Sequence, residues 1–232
     1  PLYHCEAMLR LYGHPGLLRA AATIFGDDFA PFQECMIVKR PGEGRIFSWH
    51  QDGTTHWKAR RRNQHSHGLN FMPQLYGSTP ANGVWFVPGS QTGKADIRAM
   101  VEAAGSERLA DAVPLVCAPG DVAMSNRQIV HGSFANTSAD IRVTLNFGFL
   151  PRRSVIGVTG FPFGPKNAVT YTGQYVRKRA EVLGYAIDAR HRHFPDEQPF
   201  VYGPHRDAGE AFHWDDAARE AIRDYNRFDI RI

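Results

Sequence analysis

The stretch Trp49-His50-Gln51-Asp52-Gly53 decides how the rest of this sequence is interpreted. The residues before it include β-branched and aromatic side chains, and they predict a strand over residues 46–52. Since residues i and i+2 of a strand point to the same face, His50 and Asp52 are expected to project together. An imidazole beside a carboxylate supplies two of the three ligands of the 2-His-1-carboxylate triad, which holds ferrous iron and leaves other coordination positions open.

The third ligand must come from elsewhere, and the segment 128–133 supplies the best candidate, His131. An isolated His-x-Asp pair is common by chance and usually marks two surface residues, so its context has to agree. Two further histidine pairs share the spacing but have no carboxylate partner, and we interpret them as surface or loop residues: His65 with His67, and His191 with His193.

Between Phe32 and Leu150, short runs rich in Val, Ile, Phe and Trp alternate with Gly, Pro, Asn and Ser. About eight short strands separated by turns predict a sandwich or barrel. The predicted strands are 33–39, 46–52, 69–76, 84–87, 113–117, 121–125, 128–134 and 142–150. One short helix, over 94–104, interrupts them.

The last predicted strand, 142–150, has two different faces. Its odd-numbered positions up to Phe149 are apolar, and its even-numbered positions, beginning with Arg142, are polar or small. The apolar face is expected to pack against the core. The polar face is either solvated or lines a cavity, and a cavity is favoured if His131 lies close by.

Helical spacing and capping residues predict helices at Pro15–Phe25, at about 172–190 and at about 210–225. At 232 residues the chain suits one domain. We therefore expect a single domain over 1–232, with a β core at about 32–150 and a helical C-terminal extension at about 151–232.

Composition excludes several classes of partner. No apolar run approaches the roughly 20 residues of a membrane helix, and no secretory signal is visible. The net charge is +4 with a pI near 9.1, but the basic residues are dispersed, so nucleic-acid binding is not expected. The three cysteines are odd in number and far apart, which predicts neither disulfides nor a zinc site and favours a reducing, cytoplasmic location.

The downstream run His131-Gly132-Ser133-Phe134-Ala135-Asn136 ends shortly before Arg142. Together with the His50-Gln51-Asp52 motif, Ala81-Asn82-Gly83 and Val87-Pro88-Gly89-Ser90, it resembles the phytanoyl-CoA dioxygenase family. The resemblance covers about 32–150 and has four motifs in the family's order. It implies a mainly β, cupin-like double-stranded β-helix (jelly roll) with flanking helices, and an oxidoreductase that uses Fe(II), 2-oxoglutarate and O2.

Carried over residue by residue, the resemblance implies three metal ligands, which would also be the catalytic residues: His50, Asp52 and His131. It further implies that the co-substrate 2-oxoglutarate contacts Arg142, Ser133 and Gln33. Arg142 has a permanently charged planar fork that can pair with a carboxylate through two hydrogen bonds. Related halogenases have a small residue in place of the carboxylate ligand, so the presence of Asp52 favours hydroxylation or another oxidation.

The substrate site is less defined by the sequence. His56 and Trp57 follow the iron motif and either line the substrate pocket or belong to a packed loop. The basic run Arg60-Arg61-Arg62 either attracts an anionic substrate at the pocket mouth or forms a solvated turn.

The expected function is therefore a non-haem Fe(II)/2-oxoglutarate dioxygenase that hydroxylates an unactivated C–H bond of a small molecule and releases succinate and CO2. Two alternatives stay open at this point. One is a metal-dependent cupin-type enzyme that does not use 2-oxoglutarate, and the other is a non-catalytic jelly-roll module that binds a small ligand.

Overall fold

A computed structural model describes residues 5–44, 46–53, 67–162, 164 and 166–232, with the side chain of Gln33 left out. The described chain divides into two compact units, each considered separately below. Of the described residues, the first unit comprises 5–33 and 149–232, and the second comprises 34–44, 46–53 and 67–148. The boundaries fall inside two strands, β1 and β8.

The described strands are β1 Phe29–Lys39, β2 Phe47–His50, β3 Leu69–Pro73, β4 Val84–Val87, β5 Val113–Pro114, β6 Val122–Asn126, β7 Val130–Ser133, β8 Arg142–Pro151, β9 Thr159–Gly160 and β10 Val169–Thr170. The helices are α1 Glu6–Tyr12, α2 Pro15–Phe25, α3 Ile97–Ala104, α4 Arg152–Val155, α5 Gly173–His193, α6 Gly203–Asp207 and α7 Asp216–Ala221. Short 3₁₀ helices occupy Ser90–Thr92 and Tyr225–Phe228.

Eight of the strands form two four-stranded sheets. One has the order β1-β8-β3-β6 and the other the order β2-β7-β4-β5, while β9 and β10 pair separately. The β3–β6, β2–β7, β4–β7 and β4–β5 pairs are antiparallel. Two antiparallel four-stranded sheets are the arrangement of a jelly roll, so the predicted mainly β, double-stranded β-helix fold with flanking helices is confirmed.

The core of the second unit contains two apolar clusters. Met72 of β3 packs with Val84 and Phe86 of β4, and therefore joins residues from both sheets. The other cluster includes Trp49 of β2 and Val130 of β7, and it is covered by partly buried residues of α3 such as Met100. Burial of these side chains stabilises the pairing of β2 and β7.

The first unit has its own core. Phe29 packs edge-on against Phe149 with ring centroids 5.1 Å apart. Arg179 of α5 is fully buried, and its guanidinium donates to the carbonyl of Tyr225 (3.2 Å) and lies 3.7 Å from Asp229. A buried charge is tolerated only when it is paired and hydrogen-bonded, so this arginine holds the C-terminal segment to α5.

Two helix predictions agree closely with the structure. The helix α2 has the predicted bounds, and α3 ends at Ala104 as predicted, followed by Gly105 at φ +60°. The start of α3 is three residues later than predicted because Asp96 is its N-cap and accepts a hydrogen bond from the Ala99 amide (3.1 Å).

Other boundaries were predicted wrongly. The predicted 210–225 helix is reduced to α7. The Trp214 amide donates to the Asp188 carboxylate (2.6 Å), and Asp215 is the N-cap of α7 because its side chain accepts from the Ala218 amide (2.7 Å). The helix α1 was not predicted. It approaches α5 so closely that a Cβ on Gly13 would lie 2.2 Å from the Ala186 carbonyl oxygen.

No helix in the described ranges combines the length and the apolar character that a bilayer crossing requires.

Candidate active site

Two neighbouring strands of one sheet bring the histidines together. His50 ends β2 and His131 lies in β7, where the antiparallel register places them directly opposite each other. Their ring centroids are 4.2 Å apart. Gly132 allows this approach, since a Cβ there would lie 3.2 Å from the carbonyl oxygen of Phe47 and from the Trp49 ring.

Asp52 completes the group. His50 Nε2 lies 3.6 Å from Asp52 Oδ1, and His131 Nε2 lies 4.0 Å from Asp52 Oδ2. One ligand atom from each of the three residues falls within 4.8 Å of the others, which is a spacing that can hold a metal ion. The sequence-predicted triad residues are thus brought to one place in the second unit.

Backbone carbonyls orient both imidazoles. His50 Nδ1 lies 2.7 Å from the Ser48 carbonyl, and His131 Nδ1 lies 3.0 Å from the Ile129 carbonyl. Because a carbonyl only accepts, each Nδ1 must carry the proton, and each Nε2 lone pair is left facing Asp52. Metal-binding histidines are commonly fixed in this way.

The charges suit a cation. Burial lowers the pKa of His131 below its ordinary value, although Asp52 opposes the shift, so the imidazole is neutral at pH 7. Burial alone would raise the pKa of Asp52, but His131, Arg127 and a hydrogen bond from Asn70 together lower it. A neutral imidazole and an ionised carboxylate are the forms that bind metal.

Gln51, between two of the predicted ligands, has a structural role that the sequence did not predict. Its Nε2 has two N–H hydrogens and lies within hydrogen-bond distance of three carbonyls, those of Ser90 (3.0 Å), Gly93 (2.9 Å) and Gln128 (2.7 Å), while its Oε1 accepts from the Ala95 amide (2.9 Å). The side chain therefore joins the loop at 90–95 and the segment before His131 to the turn that carries His50 and Asp52.

Asn70 is a second residue that sequence reasoning missed. It lies in β3, is only 4% exposed, and its Nδ2 donates to Asp52 Oδ2 at 2.7 Å. The sequence does contain a signal for it, since Asn70 is the single amide within the apolar run Leu69-Asn70-Phe71-Met72. A polar side chain buried in such a strand requires a hydrogen-bond partner.

Arg142 begins β8 and has no solvent exposure. Its Nη1 donates to the Asn82 carbonyl (2.8 Å) and lies 3.3 Å from Ser133 Oγ. Its Nε and Nη2 are buried and have no partner among the described residues. Burial lowers its pKa to about 10, so the guanidinium remains charged at pH 7. Two unused donors on a buried cation fit a carboxylate of a bound anion.

The polar face of β8 lies inside the second unit. Thr144 is 1% exposed and donates to Gln74 Oε1 (2.7 Å), while the Oδ1 atom of Asn146 is buried and has no partner within the described part of the chain. The burial of these side chains argues against the solvated alternative for this face.

Some predicted residues cannot be placed at the site. Gln33 lies in β1, but its side chain is not described. The expected substrate residues fall outside the described ranges: His56, Trp57, Arg60, Arg61 and Arg62. Of the histidines predicted to be surface or loop residues, His65 falls outside the described ranges, and His67 lies in a loop but is fully buried. His191 and His193 are exposed at the end of α5.

The family model described as Phytanoyl-CoA dioxygenase (PhyH) matches residues 7–144, which include the triad, Ser133 and Arg142. The chain belongs to this family. The predicted resemblance is therefore confirmed, and the cofactors expected from it, Fe(II), 2-oxoglutarate and O2, are those of the family. A comparison with curated proteins found no match.

Solved structures with the same fold include EctD from S. alaskensis with 2-oxoglutarate and 5-hydroxyectoine. It is 25% identical, has a TM-score of 0.54, and the match covers 69% of this chain and 56% of EctD. EctD with bound Fe gives 26% identity, a TM-score of 0.52 and coverage of 63% and 53%. A nickel complex of the non-heme monooxygenase ThoJ, at 20% identity, TM-score 0.50 and coverage of 62% and 53%, supports the fold alone. The matches span little more than half the length of these structures.

Proposed function

We propose that this chain is a non-haem Fe(II)- and 2-oxoglutarate-dependent oxygenase that hydroxylates an unactivated C–H bond of a small molecule and releases succinate and CO2. One observation carries the proposal. Three metal-type ligand atoms and a buried arginine with two unused donors, Arg142, lie in the same unit.

In this proposal His50, Asp52 and His131 hold Fe(II), and the bound iron supplies the redox chemistry with O2. The residues fit a divalent ion because both Nε2 lone pairs and an ionised carboxylate face one point. Asp52 also supports hydroxylation over halogenation, since the carboxylate ligand is present.

Arg142 would bind the distal carboxylate of 2-oxoglutarate through Nε and Nη2, and Ser133 would stand beside it. Iron can engage only the carboxylate next to the keto group, so the distal one needs a protein partner. In a site that excludes water, an unpaired carboxylate would be strongly unfavourable. The unused donors of Arg142 supply that partner.

The arginine and the triad argue against one alternative each. A cupin-type enzyme without 2-oxoglutarate would leave a buried guanidinium with unused donors in the same unit as its metal. A non-catalytic ligand-binding module would have no need for the triad. EctD, which is 25% identical, was solved with 2-oxoglutarate, and this supports the co-substrate assignment.

The primary substrate is proposed to be a small molecule, contacted by residues of the segment that follows Asp52: His56, Trp57, Arg60, Arg61 and Arg62. Gln33 is proposed as a further co-substrate contact. None of the three cysteines, all of which are described, forms a disulfide, which is compatible with the proposed cytoplasmic location.

The proposal is tested by measuring succinate formed from 2-oxoglutarate with Fe(II) and ascorbate, with and without a panel of candidate small molecules. We expect slow succinate release that rises with the true substrate. The variant His131→Ala, which lacks one of the proposed iron ligands, serves as the control for succinate formed by iron that is not bound at the triad. Absence of Fe(II)-dependent succinate from wild-type protein under every condition would contradict the proposal.

A further inference from the structure

Asn70 is an amide in an otherwise apolar, fully buried strand. Every residue of β3 is buried, and its neighbours Leu69 and Phe71 are apolar. A buried amide in such a strand is unfavourable unless it is hydrogen-bonded. The partner of its NH2 group is a predicted metal ligand, Asp52, at 2.7 Å.

The hydrogen bond distinguishes the two oxygens of the Asp52 carboxylate. Oδ2 accepts from Asn70 and lies 4.0 Å from His131 Nε2, while Oδ1 lies 3.6 Å from His50 Nε2. The hydrogen bond uses one of the two lone pairs of Oδ2 and draws electron density from that oxygen, so Oδ2 is the poorer ligand for a cation. Asn70 also belongs to the sheet opposite to the one that carries His50 and His131, so it fixes the carboxylate from the other side.

We propose that Asn70 is a positioning residue that keeps Asp52 bound to the metal through Oδ1 alone. A carboxylate that binds through both oxygens occupies one more coordination position. The reaction needs the positions left open by the triad, because the co-substrate and O2 both use them. Asn70 would thus keep one coordination position of the metal open without contacting the substrate. Only the expected effect of Asn70 on turnover rests on the proposed function.

The test compares Asn70→Leu, which keeps the approximate size and removes the donor, with Gln74→Met. Gln74 is a suitable control because it lies four residues along the chain, is 1% exposed, and bonds to the Met72 carbonyl (3.0 Å) and the Thr144 hydroxyl (2.7 Å), neither of which belongs to the triad. Both changes remove one buried amide.

The primary readout is water-proton relaxation of the Mn(II)-loaded proteins, which reports the number of waters on the metal. Three protein ligand atoms leave three positions of an octahedral ion to water, so loss of one should lower the relaxivity of Asn70→Leu by roughly a third. Gln74→Met should match wild type. Unchanged relaxivity in metal-loaded Asn70→Leu, or an equal fall in Gln74→Met, would overturn the proposal.

A second variant and a second readout keep the test decisive. If Asn70→Leu does not fold, Asn70→Ser is measured instead, because its short hydroxyl cannot reach Asp52. Succinate release by the Asn70 variant should fall about 10–100-fold, the usual effect of losing a group that orients a metal ligand. If wild type releases no succinate, the proposed function fails, and the Mn(II) measurement still decides the role of Asn70.

Discussion

Replacing Arg142 tests the co-substrate site most sharply. The Nε and Nη2 atoms of this side chain are buried and find no partner in the part of the chain that the structure describes, so the proposal gives them the distal carboxylate of 2-oxoglutarate. Arg142→Leu removes both donors and the charge. Arg142→Lys keeps the charge but loses the planar fork.

The magnitude follows from burial. Arg142 has no exposed surface, so solvent screening cannot replace the lost interaction. Truncating one partner of a buried, hydrogen-bonded charge pair costs about 2–5 kcal/mol, and Arg142→Leu should therefore weaken 2-oxoglutarate binding about 30-fold to several thousand-fold. Arg142→Lys should bind more weakly than wild type and more tightly than Arg142→Leu. Ser133→Ala, which removes one neutral hydroxyl, should cost only about 1 kcal/mol.

The assay is calorimetric titration of 2-oxoglutarate into anaerobic, Ni(II)-loaded protein, with metal content measured in parallel. Because Arg142 is not a ligand, metal content should not change. Burial lowers the pKa of Arg142 to about 10, so wild-type affinity should also fall as the pH rises through that value and the guanidinium loses its proton. Wild-type affinity in metal-loaded Arg142→Leu would refute the reasoning, because the distal carboxylate would then be held elsewhere.

Three further predictions concern the triad, the support that Gln51 gives it, and the C-terminal segment. His50→Ala, Asp52→Ala and His131→Ala should each abolish succinate formation while leaving the circular dichroism spectrum unchanged, and near-native activity with stoichiometric iron in any of them would remove that residue from the triad. Gln51→Ala should destabilise the protein by about 2–3 kcal/mol in chemical unfolding, because it removes two N–H donors and one accepting oxygen, each with a net contribution near 1 kcal/mol; an unchanged unfolding midpoint would contradict this. Arg179→Ala should cost about 3–5 kcal/mol by removing a buried guanidinium that lies 3.7 Å from Asp229 and donates to the Tyr225 carbonyl, and a loss below 1 kcal/mol in the same assay would show that the C-terminal segment is held by its apolar contacts.

The sequence predicted the triad for a partly different reason from the one the structure gives. A strand through 46–52 was expected to place His50 and Asp52 on one face. In the structure β2 ends at His50, and the Asp52 amide donates to the Arg127 carbonyl (3.3 Å) instead of continuing the ladder. The histidines meet because β2 and β7 pair across the sheet, and that register is a tertiary feature.

The supporting residues could not be predicted because their partners are distant in sequence. Gln51 bonds to the loop at 90–95 and to Gln128, and Asn70 reaches Asp52 from the opposite sheet. Local pattern specifies which residues can bind metal or a carboxylate. It does not specify which buried amide will orient them, since that depends on how the two sheets pack.

Helix ends show the same limit. The α2 start was predictable because Pro15 at the first helical turn is a local signal. The predicted 210–225 helix failed because the Trp214 amide is taken by Asp188, a residue of α5. Long-range hydrogen bonds of this kind override helical spacing.

The most direct test of the account is the visible absorption of anaerobic wild-type protein titrated with Fe(II) and then with 2-oxoglutarate. We expect a charge-transfer band that requires both additions, that saturates at one equivalent of iron, and that is absent from His131→Ala. Stoichiometric iron binding without this band, or the same band in His131→Ala, would contradict the claim that the triad and the co-substrate share one metal.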